Sequence, residues 1–458
     1  MLRRAPELDR VLVTVPSLDV SPSGHVSCTL EFSSAACPAR ERIEAAARRI
    51  LEGASWASGC DLSARVRRPR SFLGLGAPPS LQSVGALIGV SSCKGGVGKS
   101  TIAANLAFAL AGMGGRVGLL DADVHGPSLP SLVGLPDGAL PLVRAESKLI
   151  RPPLVGGVKL MSYGFLAKGA STGRVSAAVM RGPMVGKVVG QMLSGTDWGD
   201  LDYLLVDLPP GTGDVQLTLC QTYGLTAALV VTTPQRLARV DVEKGIDMFA
   251  NLGVPIAGLI ENMAYFTDGH GEQHFPFGKS QLDAVRAYAA VSEASATRLP
   301  IEVEVSEACD ESTPVVLARP QSATAQRLSA AAAQLTRDLA QLQFDASTST
   351  GAPSLRFDPV RGIVMRVLSG EDEGREYVLP RSAIAMLPGA GSAATPDALT
   401  LGTTPDGDAA VVIRWDGGGE SLLTCEELKR LALTHHMEQN TPDEVAHRDA
   451  RGTSFEPT

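Results

Sequence analysis

The chain has 458 residues, room for two to four domains at about 150 residues each, so a single small module is excluded. A formal net charge of −8 argues against a surface given over to nucleic acid, which needs clustered Lys and Arg. Aromatic residues make up only 4%, so the core must rest on Ala, Val, Leu and Gly, a composition suited to helices packed closely onto a sheet.

Residues 1–66 read as a small α+β module. Val26 to Phe32 alternates like a strand, and Ala39 to Leu51 is rich in Ala, Arg and Glu like a helix. Arg67-Arg-Pro-Arg70 and Ala77-Pro-Pro-Ser80 then break the pattern as a linker. Over residues 86–342, apolar runs alternate with helical segments, which predicts an α/β domain with a mostly parallel sheet covered on both faces. The runs are Leu87–Val90, Arg116–Leu120, Tyr203–Val206, Ala228–Val231 and Ile256–Ile260. Phe344 to Pro353, with its Ser, Thr and Gly, reads as a second linker. Residues 354–438 form a β-rich module with strands at Gly362–Leu368 and Ala410–Trp415, a Gly417–Gly419 turn and a short helix from Cys425 to His435. The polar tail, 439–458, reads as disordered. No run reaches the roughly 18 apolar residues of a spanning helix, and the N-terminus has no apolar signal core; the expectation is a chain working in solution, away from membranes and nucleic acid.

Ser91-Ser-Cys-Lys-Gly-Gly-Val-Gly-Lys-Ser-Thr101 follows a predicted strand and opens a helix. It nearly fits the phosphate-binding pattern G-x-x-x-x-G-K-[ST], departing at Cys93. Gly95, Gly96, Val97 and Gly98 offer backbone N–H groups to phosphate oxygens, Lys99 neutralises their charge, and Ser100 and Thr101 enter the helix whose N-terminus favours anions. Ser100 is the expected ligand of Mg²⁺. Two apolar strands end in carboxylates, Leu119-Leu-Asp-Ala-Asp123 and Leu204-Leu-Val-Asp207, where open parallel sheets bind ligands. Asp207 suits a residue holding Mg²⁺ through water, Asp123 one that positions the attacking water, and Leu208 to Asp214 a loop sensing the terminal phosphate.

Lys94-Gly-Gly-Val-Gly-Lys-Ser-Thr101, with lysine at its first position as well, resembles the deviant Walker A group of the ParA and MinD positioning ATPases, the nitrogenase iron protein and the Mrp/ApbC iron–sulfur carriers. Asp121–Ser128, Met180–Met184, Asp207–Asp214, Thr232–Gln235 and Glu261-Asn-Met263 resemble the Mrp branch. The Ser-Cys-Lys start of the loop, Gln216–Gln221, Ala36-Cys-Pro38 and Trp415-Asp-Gly417 are most similar to the plant and algal form named after high chlorophyll fluorescence, here with a shortened N-terminal module. That resemblance implies an ATP-binding homodimer and slow Mg-ATPase. It would take [4Fe–4S] clusters from upstream scaffolds and deliver them to apo-proteins in the plastid stroma, with the cytosol as alternative. It further implies that Lys94 reaches the partner's nucleotide and that Asn262 contacts adenine.

The cluster ligands are less direct. Seven widely spaced cysteines without a C-x-x-C pair point to reduced thiols, not a disulfide framework. Many Mrp relatives carry C-x-x-C after Glu-Asn-Met, whereas this chain reads Ala264-Tyr-Phe-Thr-Asp-Gly-His270. Cys37, ahead of a predicted helix that would lower its thiol pKa, and polar-flanked Cys309 are the candidate cluster ligands. Cys220 reads as core, and His270 and His274 as loop residues. The competing readings are a nucleotide-switched adaptor without a cluster and a ParA/MinD-like ATPase.

Overall fold

The computed structural model describes residues 9, 11–54, 56–67, 78–136, 141–143, 149–169, 182–211 and 213–348, and further on 354–358, 362–366, 376–379, 384, 396–403, 409–415, 420–424 and 427–428. Two compact units divide the chain, Met1–Gln343 and Phe344–Thr458.

The first unit begins with β1 (Val13–Val20), β2 (His25–Phe32), α1 (Arg40–Glu52) and β3 (Gly59–Val66). β1 lies antiparallel to β2, and α1 is the crossover that returns the chain as β3, parallel to β2. α1 buries Ile43, Ala46, Ala47 and Leu51, the apolar face of a helix with a 3.6-residue period. That face covers Val26, Cys28, Leu30 and Phe32, the inward positions of β2. Ala340, far along the chain, completes this small core.

After a short 3-10 turn at Pro79–Leu81 come β4 (Val84–Ser91), α2 (Lys99–Gly112), β5 (Val117–Asp121) and α3 (Leu129–Leu132). Then follow β6 (Leu142–Val143), β7 (Ile150–Arg151), β8 (Leu154–Val155), β9 (Val158–Ser162), α4 (Tyr163–Gly169) and α5 (Gly182–Gly195). The unit continues with β10 (Leu201–Asp207), α6 (Asp214–Tyr223), β11 (Ala227–Thr232), α7 (Arg236–Asn251), β12 (Ile256–Thr267) and β13 (Gln273–His274). It closes with α8 (Leu282–Tyr288), β14 (Ala296–Pro300), α9 (Val303–Asp310), α10 (Val315–Ala318) and α11 (Ala323–Thr348).

Among the described residues a nine-stranded sheet runs β13-β12-β11-β4-β10-β5-β9-β8, with β14 also on β12. Its ladders are parallel except at the ends, where β8 and β13 run antiparallel to their neighbours. β4, β5, β10 and β11 are buried along their full length, as strands covered on both faces must be. On one face α2, Ala-rich and buried nearly all round, lies close to the sheet. On the other, Trp198 fills the gap over Gly118, where any β-carbon would collide with its ring.

In the second unit, β15 (Ser354–Asp358), β16 (Gly362–Arg366) and β17 (Glu376–Leu379) form one antiparallel sheet. β18 (Pro396–Thr403), β19 (Ala409–Trp415) and β20 (Glu420–Thr424) form another. Val411 and Ile413 alternate inward, the period-two pattern of a half-buried strand.

Three expectations change. The strands β1 and β3 were not expected: β1 is mostly exposed, β3 has no buried residue, and neither shows the apolar alternation that marks β2. The expected linker from Phe344 is helical as far as Thr348, because an Ala-rich helix once nucleated adds a residue at little cost even through Ser and Thr. The N-terminal module, expected to stand apart, shares a unit with the central sheet. The 68–77 part of the first linker, Met180 and Arg181, the turn after Trp415, most of the helix expected at Cys425–His435 and the tail lie outside the described residues.

Candidate functional site

β4 ends centrally in the sheet, and its loop, Ser92 to Gly98, opens onto the N-terminus of α2. Gly96 and Gly98 have φ of 78° and 84°, the left-handed region that glycine enters without penalty. Gly95 and Gly96 are exposed, and a side chain at either would meet nothing within 4 Å, so the loop stands open to solvent there. At Gly98 a β-carbon would strike the Asn262 amide, which donates to the Val97 carbonyl at 2.9 Å. Asn262, at the break in the β12–β14 ladder between Glu261 and Tyr265, therefore ties β12 to the loop.

Lys99 starts α2 and is buried; its ammonium pairs with the Asp207 carboxylate and lies 3.5 Å from the Ser100 hydroxyl. Asp207 ends β10 in register with Val90 of β4 and Asp121 of β5. Burial pushes the Asp207 carboxyl upward against the opposing pull of Lys99 and Ser100, and the Asp123 charge adds to the rise. Asp121 is 1% exposed and pushed up to about 7, first by burial and then by Asp207. It accepts from the Leu129 amide at 3.1 Å, the Ser162 hydroxyl at 3.0 Å and the Asp123 amide at 3.1 Å. Asp123 in turn accepts from the Gly126 amide at 3.1 Å. The half-exposed Asp123 is thus held beside Asp207 by a buried carboxylate, a role that the motif alone did not assign to Asp121.

The Leu208–Asp214 segment is tied to the phosphate loop itself: the Gly211 amide donates to the Ser92 carbonyl at 2.9 Å. Gln216 reaches back to the Pro209 carbonyl at 2.6 Å. Lys94 is exposed and donates to Gln235 Oε1 at 3.1 Å. Gln235 stands in the Thr232–Gln235 motif, but its contact with Lys94 could not be read from sequence, because nothing in a linear pattern marks a partner 141 residues away.

A cavity of about 280 Å³ adjoins the loop, lined by Thr101, Asn262, Met263, Pro300, Cys309 and Thr324 among others. Met263 enters it with φ of 55°, a conformation unusual for a non-glycine residue that turns β12 around the mouth. The cradle, Lys99, Ser100 and the paired carboxylates fit a nucleotide with Mg²⁺, and the cavity is wide enough for its base.

Cys37 and Cys309, the two candidate cluster ligands, lie in different parts of the unit, one in the core of the N-terminal module and the other lining the cavity beside the loop. Cys37 is 7% exposed inside the N-terminal core, and burial raises its pKa; the lowered, solvent-facing thiolate expected from its place before α1 is not formed. Cys309 is half-buried, hydrogen-bonded to Thr101, and also raised by burial. Cys220 lies in the core, pushed up to about 11. Cys93, at the first glycine position of the motif, turns its sulfur toward Gly245 of α7 and is likewise raised to about 11. Among the described residues the one group of three ligating side chains contains no cysteine.

The family model described as ParA, NUBPL iron-transfer P-loop NTPase, matches residues 83–336. The chain is 40% identical over 78% of its length to the chloroplastic Fe-S cluster assembly factor HCF101 of Oryza sativa subsp. japonica, and 42% identical over 71% to that of Arabidopsis thaliana. It spans 65% and 59% of the length of those two relatives. An iron-sulfur cluster carrier protein of Synechocystis is 37% identical, with 72% of this chain and 93% of that one covered. Among solved structures, an ADP complex of a nucleotide-binding protein from Archaeoglobus fulgidus is 36% identical over 52% of this chain and 90% of its own, with a TM-score of 0.45. With a nucleotide cradle at the centre of its sheet and a family match across that whole sheet, the chain belongs to the ParA/NUBPL family of iron-transfer P-loop NTPases.

Proposed function

We propose that the chain is an ATP-dependent carrier of [4Fe–4S] clusters, a homodimer switched by hydrolysis that delivers clusters from upstream scaffolds to apo-proteins. One observation carries the reading: a glycine loop with the Lys99–Asp207 pair at its base stands in a chain similar over most of its length to proteins named as cluster carriers and assembly factors. Gly95 to Gly98 would bind the phosphates, Asn262 the adenine side, and Asp123 would orient water. Mg²⁺, when bound, supplies charge neutralisation at the phosphates, with Ser100 and Asp207 as the residues to hold it. Lys99 is placed to exchange its carboxylate partner for phosphate. Lys94, exposed and in a weak surface contact, is free to serve the nucleotide of a second subunit. Turnover is slow, because a loop built for switching favours a long-lived bound state. The chloroplastic relatives support the plastid stroma as compartment.

Anaerobic reconstitution with iron and sulfide tests the cargo. Broad visible absorption and about four irons per dimer are expected. Of the two cysteines read as candidate ligands in sequence, only Cys309 is kept as a proposed ligand: Cys309→Ala should lose iron, whereas Cys37→Ala, at a thiol buried in the N-terminal core, should keep it. No bound iron in the unaltered chain would overturn the carrier reading. A nucleotide-switched adaptor would then stand, a reading favoured by the absence of cysteine from the one ligating group among the described residues.

A further inference from the structure

We infer that the tip of the β12–β13 hairpin binds one divalent first-row transition ion through Asp268, Glu272 and His274. β12 runs on past Asn262 to Thr267, turns, and returns as β13, with Phe266 opposite His274 and Thr267 opposite Gln273. The turn is closed by the Asp268 amide donating to the Glu272 carbonyl and the Gly271 amide to the Asp268 carbonyl, both at 3.0 Å. Asp268 Oδ1 accepts from the amides of His270 and Glu272 at 2.9 and 3.0 Å. These bonds fix the carboxylate and aim its second oxygen at His274 Nε2, 2.8 Å away.

One ligand atom from each of Asp268, Glu272 and His274 falls within 4.8 Å of the others. Around a tetrahedral ion with bonds of about 2.1 Å, neighbouring ligand atoms stand about 3.4 Å apart, so Asp268 and His274, hydrogen-bonded at 2.8 Å, have only to part by a few tenths of an ångström. Exposed Glu272 turns inward to supply the third ligand. An imidazole nitrogen with two carboxylate oxygens is a donor set for Zn²⁺, Fe²⁺ or Co²⁺ more than for Mg²⁺ or Ca²⁺, which prefer oxygen alone. A plain Asp268–His274 ion pair accounts for two of these residues but gives Glu272 nothing to do, and such a pair on the surface contributes about 0–1 kcal/mol.

An independent feature marks the same place as functional. Phe266, Phe275 and Phe277 are 41%, 45% and 38% exposed, all on this hairpin and the turn after it, with the Phe266 ring centre 6.5 Å from that of His274. Three exposed phenylalanines in a stretch of twelve residues mark a contact surface beside the ligand atoms. The site shares no residue with the phosphate cradle and stands whether or not the cluster reading holds.

Co²⁺ titration of the nucleotide-free full chain tests it, read by visible d–d absorption and by calorimetry. One equivalent is expected to bind with nitrogen and oxygen ligation, to be displaced by Zn²⁺, and to resist excess Mg²⁺. His274→Ala and Asp268→Asn should each weaken Co²⁺ binding by about tenfold or more, with melting curves unchanged because the tip is exposed. Binding undiminished in His274→Ala, or a thiolate-to-cobalt charge-transfer band, would overturn the proposal. So would the absence of a saturable equivalent.

Discussion

Asp121 shows what single residues decide here. Its carboxyl titrates near 7 because it is buried beside Asp207, so the folded chain holds its proton more tightly than the unfolded chain does. Its stabilising contribution is complete below about pH 4 and is lost as pH rises through about 7. Melts of the nucleotide-free protein should therefore shift down between pH 5 and pH 8, by on the order of 2–4 kcal/mol at most. Asp121→Asn should flatten that slope; an unchanged slope would assign the effect elsewhere. Lys99 and Asp207 were legible because their motifs state their chemistry. Asp121 was not, since its role lies in three hydrogen bonds made only after β5, α3 and β9 come together. The acid–base character expected of Cys37 failed for a related reason, because a sequence reveals the approach to a helix but not the depth at which the thiol is buried.

Among elements, β4, the loop and α2 form the site, and β12 holds them in place. Removing the Asn262 amide leaves the Val97 carbonyl unpaired and opens space beneath Gly98. Asn262→Ala should lower nucleotide affinity by about tenfold and cost about 1 kcal/mol of stability, measured by calorimetry and by denaturant unfolding. Gly98→Ala should be worse, since it adds backbone strain to a collision with the same amide. The five strands at the centre of the sheet could be read directly, because burial on both faces leaves continuous apolar runs. β1 and β3 could not: they are flanking strands, one mostly exposed and the other without a buried residue, and follow no such pattern.

For the whole molecule, the α/β architecture followed from the alternation of runs and helices, whereas the joining of the N-terminal module to the central sheet depends on contacts that no local pattern announces. Tyr203, on β10, is buried and bonded to Ser34 of that module and to Thr336 of α11. Burial pushes its hydroxyl up to about 12, so it remains a donor at any physiological pH. Tyr203→Phe should cost about 1–3 kcal/mol in thermal or denaturant unfolding and loosen the module, with earlier amide exchange in β2 and α1. If exchange there is unaltered, the module is held by its apolar core alone.

The pairing of Lys99 with Asp207 also bears on how fast nucleotide arrives. In the nucleotide-free protein the charge best placed to attract phosphates is already matched by a carboxylate, and the chain as a whole is negative. Little long-range field is left to draw in a polyanion, so encounter should proceed without electrostatic steering. Stopped-flow association of a fluorescent ATP analogue should then not slow as ionic strength rises, since salt screens no attraction, whereas Asp207→Asn, which leaves Lys99 unmatched, should speed association most at low salt.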